Sequence, residues 1–207
     1  MISIRELDKR NKADNLYIES LARLHMTAFP DFFLTKLGFP FLKTLYKGYL
    51  EDDNSGILVA EINGKLAGFI AYSNAYSDFY KILLKRHLIR FGICALFALV
   101  RHPSFFKRLL YAFKKSEQVR KNEAYVELAS ICVNPKVSNS GIGSRLISHL
   151  KSITDFSVFN YINLETDACE NDAVNQFYIK NAFQLYRQYK TAEGRKMNEY
   201  RYYGDLK

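Results

Sequence analysis

Cysteine is scarce in this 207-residue chain, and its three copies, Cys94, Cys132 and Cys169, lie far apart without metal-ligand spacing. A reduced, cytoplasmic chain is the plain reading. His25, His87, His102 and His149 form no ligand spacing either, so no zinc or other metal is expected. No stretch approaches the roughly 20 apolar residues that a membrane span needs. The start, Met1-Ile2-Ser3-Ile4-Arg5-Glu6-Leu7, alternates like a strand and lacks the apolar centre of a signal peptide. Internal repeats and low-complexity linkers are absent as well. What is present points to a folded globular protein: 48% hydrophobic and 15% aromatic residues, in a length that suits a single domain over 1–207.

The net charge of +9 is unevenly spread. Eleven basic residues fall between Lys81 and Lys121, opposed only by Glu117, so this segment carries +10 and the rest of the chain about −1. Within about 77–121, helical periodicity recurs in Phe79 to Phe91, Ile93 to Val100 and Pro103 to Phe113, with aromatic and leucine residues alternating with Lys and Arg. The segment reads as a basic helical insertion. It serves either as an elaboration packed on the core or as a surface for an anionic acceptor, an anionic membrane or RNA.

The rest of the chain alternates between periods. Residues 1–7 predict a strand, Asn11 to Phe29 a helix, and Gly38 to Leu50 a second helix, with an aromatic loop from Phe29 to Leu34 between them. Ile57 to Ile62, Asn63-Gly64 and Leu66 to Ser73 predict a hairpin, because Asn-Gly suits a tight primed turn. After the basic segment come a strand to Val133, a helix from Gly141, a strand at Ile162, a helix to Lys180 and two strands at about 183–189 and 196–203.

Most of the functional information lies between Glu127 and Arg145. An apolar, β-branched run from Val126 to Val133 stops at Asn134-Pro135; a polar loop, Gly141-Ile142-Gly143 and an amphipathic helix through Leu146, Ile147 and Leu150 follow. A strand, a glycine-bearing loop and a helix start aim free backbone N–H groups at an anion, here a phosphate. A Walker loop would continue Gly-Lys-Ser/Thr, but Gly143 is followed by Ser144-Arg145. A dinucleotide fingerprint would need a third glycine or alanine where Leu146 stands.

The run Ile131-Cys132-Val133-Asn134-Pro135, five more residues and Gly141-Ile142-Gly143 resembles the acetyl-CoA motif of the GNAT superfamily of N-acetyltransferases. In that family the loop reads Arg/Gln-x-x-Gly-x-Gly/Ala and its amides hold the pyrophosphate of coenzyme A. Downstream, Asn171-Asp172-Ala173-Val174-Asn175-Gln176-Phe177-Tyr178-Ile179-Lys180-Asn181-Ala182-Phe183 resembles the family's second signature. The two motifs stand in the family's order, and the predicted element order matches it with one interruption. The resemblance implies an α/β (α+β) fold: a central mixed, mostly antiparallel sheet flanked by helices, with the basic insert before the fourth strand. Ser138 stands where the family usually has Arg or Gln, Asn139 where it has Gly, and Ala182 where it has Gly before Phe183. Asn139 still tolerates positive φ.

The resemblance also implies roles. Acetyl-CoA is the cosubstrate; amides around Cys132 and Val133 orient the thioester and serve the oxyanion, and those of Ser138, Asn139, Ser140, Gly141, Ile142, Gly143 and Ser144 grip the diphosphate. Tyr178 matches the family's general acid to the leaving sulfur, the other reading being a packed tyrosine. Glu127, six residues before Val133, matches a position where some members carry a glutamate base, or else is an exposed residue at the strand's start. Asn171 and Asn175 are candidates for pantetheine or adenine-side contacts, against Asn171 as an N-cap. Arg145 reads as a solvated helix residue, and Cys132 as an inert buried thiol. The activity implied is transfer of an acetyl group to a primary amine of a small acceptor, a nucleotide-linked amino sugar being one candidate. The alternatives are a protein or peptide acceptor, or a CoA-binding module docking on membrane or RNA. Of these partners, nucleic acid is the least expected.

Overall fold

Ile57, Leu58, Val59 and Ala60 are all fully buried, which requires a strand covered on both faces. In the computed structural model, which describes residues 2–101, 123–137, 140–191 and 194–204, that strand lies inside a seven-stranded mixed sheet. The elements in chain order are Ile2–Glu6 (β1), Lys12–Asn15 (α1), Tyr17–Ala28 (α2), Phe33–Lys36 (α3), Phe39–Glu51 (α4), Ser55–Ile62 (β2), Lys65–Ser73 (β3) and Tyr76–Arg101 (α5). There follow Tyr125–Val133 (β4), a 3-10 turn at Pro135–Val137, Ile142–Ile153 (α6), Tyr161–Asp167 (β5), Asp172–Lys180 (α7), Gln184–Lys190 (β6) and Lys196–Tyr202 (β7). The sheet order is β1-β2-β3-β4-β5-β7-β6, antiparallel throughout except between β4 and β5.

The two faces carry separate cores. Ile57, Val59, Phe69, Ala71 and Cys132 pack under α2, α4 and α5 with Leu21, Leu42, Tyr46 and Phe79. Leu58, Ala60, Ile70, Val126, Leu128, Ile162 and Leu164 pack against Leu146, Ile147 and Leu150 of α6 and Tyr178 of α7. Each Val, Leu, Ile or Phe among them contributes about 1.5–3 kcal/mol by leaving water, so the alternating residues of β2–β5 fix both layers at once.

The Asn63-Gly64 turn forms as expected, with φ of 51° and 72°. The helix expected over Asn11 to Phe29 is interrupted at Leu16. The reason lies in Asp14, which is buried and bound by both terminal nitrogens of Arg5 on β1 (3.0 and 2.8 Å) and by the Asp8 amide (2.8 Å). The first turn is thereby tied to the sheet edge. Within the aromatic loop, Phe33–Lys36 closes a helical turn, with the Thr35 hydroxyl donating to the Phe29 carbonyl at 2.6 Å.

Of the basic segment, Tyr76–Arg101 (α5) is two helical pieces meeting at a non-helical kink at His87 (φ −120°, ψ 21°), two helices as expected but with the break earlier than between Phe91 and Ile93. The helix expected over Pro103 to Phe113 lies outside the described residues, as do Ser138 and Asn139.

Candidate active site

Strand β4 changes character along its length. Tyr125, Val126 and Glu127 pair in parallel with Tyr161, Ile162 and Asn163 of β5, and beyond Glu127 the pairing stops. On its other edge β4 stays paired with β3 to Val133, with Ala129 as an extra residue between Leu128 opposite Tyr72 and Ser130 opposite Ala71. Such a bulge bends the strand, and here it opens a wedge between β4 and β5. From Leu128 to Val133 the edge of β4 facing that wedge has no strand partner among the described residues.

The start of α6 lies close to this edge. Gly141 has φ 77°, and the first bond of the helix runs from the Arg145 amide to the Gly141 carbonyl at 3.0 Å. The amides of Ile142, Gly143 and Ser144 therefore precede the helical ladder and take no backbone partner among the described residues. Together with the positive end of the helix they suit a diphosphate. The Ser140 hydroxyl donates back to the Val137 carbonyl at 2.6 Å and shapes the turn. A Cβ on Gly143 would lie 3.0 Å from the ring of Phe177 and 3.7 Å from Val133. Gly143 thus lets the loop, α7 and the end of β4 meet, which brings the two sequence motifs into contact.

Tyr178 follows Phe177 on α7 and is 6% exposed, against Phe177, Phe183 and Tyr200. Its hydroxyl takes no hydrogen bond among the described residues. Burial, and next the nearby Cys132, push the phenol above its ordinary range, so it keeps its proton at neutral pH. Cys132 is itself buried and its thiol is pushed up by the same cause, which leaves it protonated and a poor nucleophile.

Glu127 is buried rather than exposed, and its Oε2 accepts from the Asn163 amide nitrogen at 2.7 Å. Its charge acts on the phenols of Tyr49, Tyr76 and Tyr125, each raised chiefly by burial. Tyr76 and Tyr125 line a cleft of about 340 Å³ together with Asp78 and Glu123. A second cleft, about 370 Å³, lies between the aromatic segment Phe29–Phe33 and the Asp167–Arg195 pair. There the Arg195 guanidinium holds both oxygens of Asp167 at 2.7 and 2.6 Å.

Asn171 and Asn175 turn inward. Asn171 makes no side-chain cap on α7, and its amide donates to Thr166 Oγ1 at 2.8 Å and the Asp167 carbonyl at 3.1 Å. Asn175 donates to the Asp167 and Asn171 carbonyls and accepts from Asn198 (2.8 Å) and Tyr200 (2.9 Å). Asn171 thus stands at the N-cap position of α7, the alternative reading of this residue, without making the side-chain capping bond. The side-chain amide of Asn175 braces β5 against β7, so a hydrogen bond from its nitrogen to a cofactor would replace one it already makes.

One group near the wedge has no sequence signal. His25, 2% exposed at the end of α2, has its Nδ1 2.5 Å from the Tyr46 hydroxyl and 4.0 Å from Cys132 Sγ, while Tyr46 reaches Ser130 Oγ at 3.4 Å. Its Nε2 is buried without a hydrogen-bond partner among the described residues. Burial lowers its pKa to about 4, so the ring is neutral. Its only neighbours in sequence are helical, and nothing in their spacing marks it. Among the described residues no cluster of His, Cys, Asp or Glu could hold a metal.

Comparison with known proteins agrees with this arrangement. The profile of the acetyltransferase (GNAT) family matches residues 18–183. No curated protein matches the chain. Among solved structures, yncA of Salmonella typhimurium with its cofactor acetyl-CoA superposes with a TM-score of 0.59 at 14% identity, over 100% of this chain and 95% of that one. The ribosomal-protein-S18-alanine N-acetyltransferase of Escherichia coli gives 0.57 at 14% identity over 100% and 97%. Ard1 of Thermoplasma volcanium gives 0.59 at 14% over 99% of each. At these identities the likeness is one of fold.

Proposed function

The chain belongs to the acetyltransferase (GNAT) family, and from that premise we propose that it moves the acetyl group of acetyl-CoA directly to the primary amine of a small acceptor, a nucleotide-linked amino sugar being the candidate that suits its basic segment. The observation that carries the reading is the open edge of β4 after Glu127, flanked by the free amides of Ile142, Gly143 and Ser144 and by the protonated phenol of Tyr178. Residues 1–207 are read as one acetyltransferase-like domain elaborated at about 77–121, working in the reducing cytoplasm.

In this reading, backbone amides of the α6 start hold the diphosphate, and those near Cys132 and Val133 receive the thioester carbonyl. The acceptor amine must arrive uncharged. Glu127 lies five residues along the strand from Cys132, about 16 Å at about 3.3 Å per residue, so it would draw off the ammonium proton through water. As the C–N bond forms, the amides near Cys132 stabilise the oxyanion. As the C–S bond breaks, Tyr178 gives its proton to the sulfur, and the amine nitrogen's remaining surplus proton restores the phenol through water. The products are the amide and the free thiol of coenzyme A.

The test is release of free thiol from acetyl-CoA across amino sugars, free and nucleotide-linked, polyamines, amino acids and peptides. Turnover confined to small amines supports the reading, and turnover confined to peptides replaces the acceptor by a protein or peptide end. Acetyl-CoA binding without any turnover would leave a CoA-binding module.

A further inference from the structure

Among the described side chains, α5 is anchored by one side. Phe79, Leu83 and Phe91 are 2–3% exposed. Phe79 stacks on Tyr49 at 4.2 Å, Phe91 lies 4.8 Å from Phe41, and Leu83 sits so close to Gly48 that a Cβ there would be 2.2 Å from its methyl. These contacts with α4 lie on both sides of the bend at His87, so both halves of the helix hold the same core.

The outward side has a different chemistry. Ile82, Leu88, Ile89 and Ile93 are exposed by 48, 64, 78 and 51%. Other large exposed apolar side chains are scattered through the fold, but these four fall within twelve residues, Ile82 before the kink at His87 and the other three after it. Lys85, Arg86 and Arg90 stand exposed among them and take no ion pair among the described residues; Lys81 alone pairs, with Asp78 at 3.5 Å. Between Asp78 and Glu117 the sequence contains no acidic residue at all. Among the described residues none covers these four aliphatic side chains, and such a group left in water marks a surface for a partner.

From this face we propose that α5 docks on an anionic lipid bilayer surface, lying in the interface with Ile82, Leu88, Ile89 and Ile93 toward the acyl chains and Lys85, Arg86 and Arg90 at the headgroups. Charge complementarity selects the occupant. A nucleic acid would satisfy the three cations but leave the aliphatic row facing phosphates, and a second copy of this helix would bring like charges together. No described helix is long and apolar enough to cross a membrane, so the contact is peripheral. This inference is independent of the acetyl-transfer reading.

The full chain would be floated with vesicles of phosphatidylcholine alone, and with about one third phosphatidylglycerol. We expect binding to the anionic vesicles only, weakened by salt at a screening length of about 3 Å near 1 M. Arg86→Gln and Arg90→Gln should each weaken it about fivefold. Leu88→Ser with Ile89→Ser should weaken it at every salt concentration, with unchanged helicity and unchanged acetyl-CoA binding. Equal binding to both vesicles, no binding, or binding indifferent to the Leu88/Ile89 variant would overturn the proposal. So would tighter capture by single-stranded RNA with the Leu88/Ile89 variant unaffected, or a wild-type dimer that this variant dissociates.

Discussion

Two side chains near the wedge make opposite uses of burial. Burial keeps the proton on Tyr178, which a donor to a departing thiolate needs, and Tyr178→Phe keeps the ring packing while removing that proton. Turnover should fall by about 10²-fold or more, with acetyl-CoA binding unchanged by calorimetry. Turnover close to wild type would leave Tyr178 as a packing residue. For His25 the same burial excludes the proton, lowering the pKa from 6.5 to about 4. A depressed pKa stabilises the fold above the unfolded value and costs stability as pH falls from 6.5 toward 4, because the unfolded chain takes up the proton first. By pH 5 the loss is about 2 kcal/mol from this ring alone. His25→Phe should therefore lose less stability than the wild type between pH 7.5 and 5, whatever its stability at pH 7.5, as read from urea midpoints. Equal losses would assign the acid sensitivity to other groups.

At the scale of elements, the ends of helices hold the sharpest consequences. Ala182 occupies φ 61° just after α7, a left-handed conformation that costs a non-glycine residue about 1–2 kcal/mol. Glycine loses more entropy on folding, so Ala182→Gly should raise stability by up to about 1 kcal/mol in a denaturant titration. A drop instead would mean that the Ala182 methyl is needed by its surroundings. Gly143→Val should act in the other direction on function: its branched side chain meets Phe177 and Val133, so acetyl-CoA affinity should fall by tenfold or more, while the core of α6 at Leu146 and Leu150 is untouched. Much of this was legible in the sequence. The Asn63-Gly64 turn, the strand to Val133 and the helix after Gly141 follow from local patterns, and the position of Tyr178 from the second motif. The break at Leu16 was not, because it depends on Arg5 reaching Asp14 from another element. The commitment of Asn171 and Asn175 to internal bonds, and the His25–Tyr46–Ser130 cluster, depend likewise on partners distant in sequence.

At the scale of the whole molecule, the sheet consists of two parts with a narrow join. Strands β1–β4 form one, β5–β7–β6 the other, and between them run three residue pairs at the start of β4. The second part carries its own polar centre. Glu199 is fully buried, held by Arg187 at 2.7 Å and Arg201 at 3.1 Å, and Arg201 also reaches Glu123 at 3.5 Å and lies over the Tyr161 and Tyr186 rings. Arg201→Met strips an inner partner from a buried carboxylate and should cost about 3–5 kcal/mol by urea unfolding. A loss under 1 kcal/mol would mean that the partners left to Glu199, Arg187 among them, satisfy it. A cosubstrate lying in the wedge would be the missing tie between the two parts, touching the open edge of β4 on one side and β5 beyond Asn163 on the other, with its diphosphate at the start of α6. At about 100 times its dissociation constant, acetyl-CoA should add about 2.7 kcal/mol, or roughly 5–10 °C in melting temperature for a chain of this length. Hydrogen exchange should slow at both edges of the wedge, in β4 beyond Leu128 and in β5 beyond Asn163, and not only at the amides of α6. Protection limited to α6 would mean that the diphosphate binds while the acyl arm stays outside the wedge, and the phenol of Tyr178 would then have no sulfur to protonate.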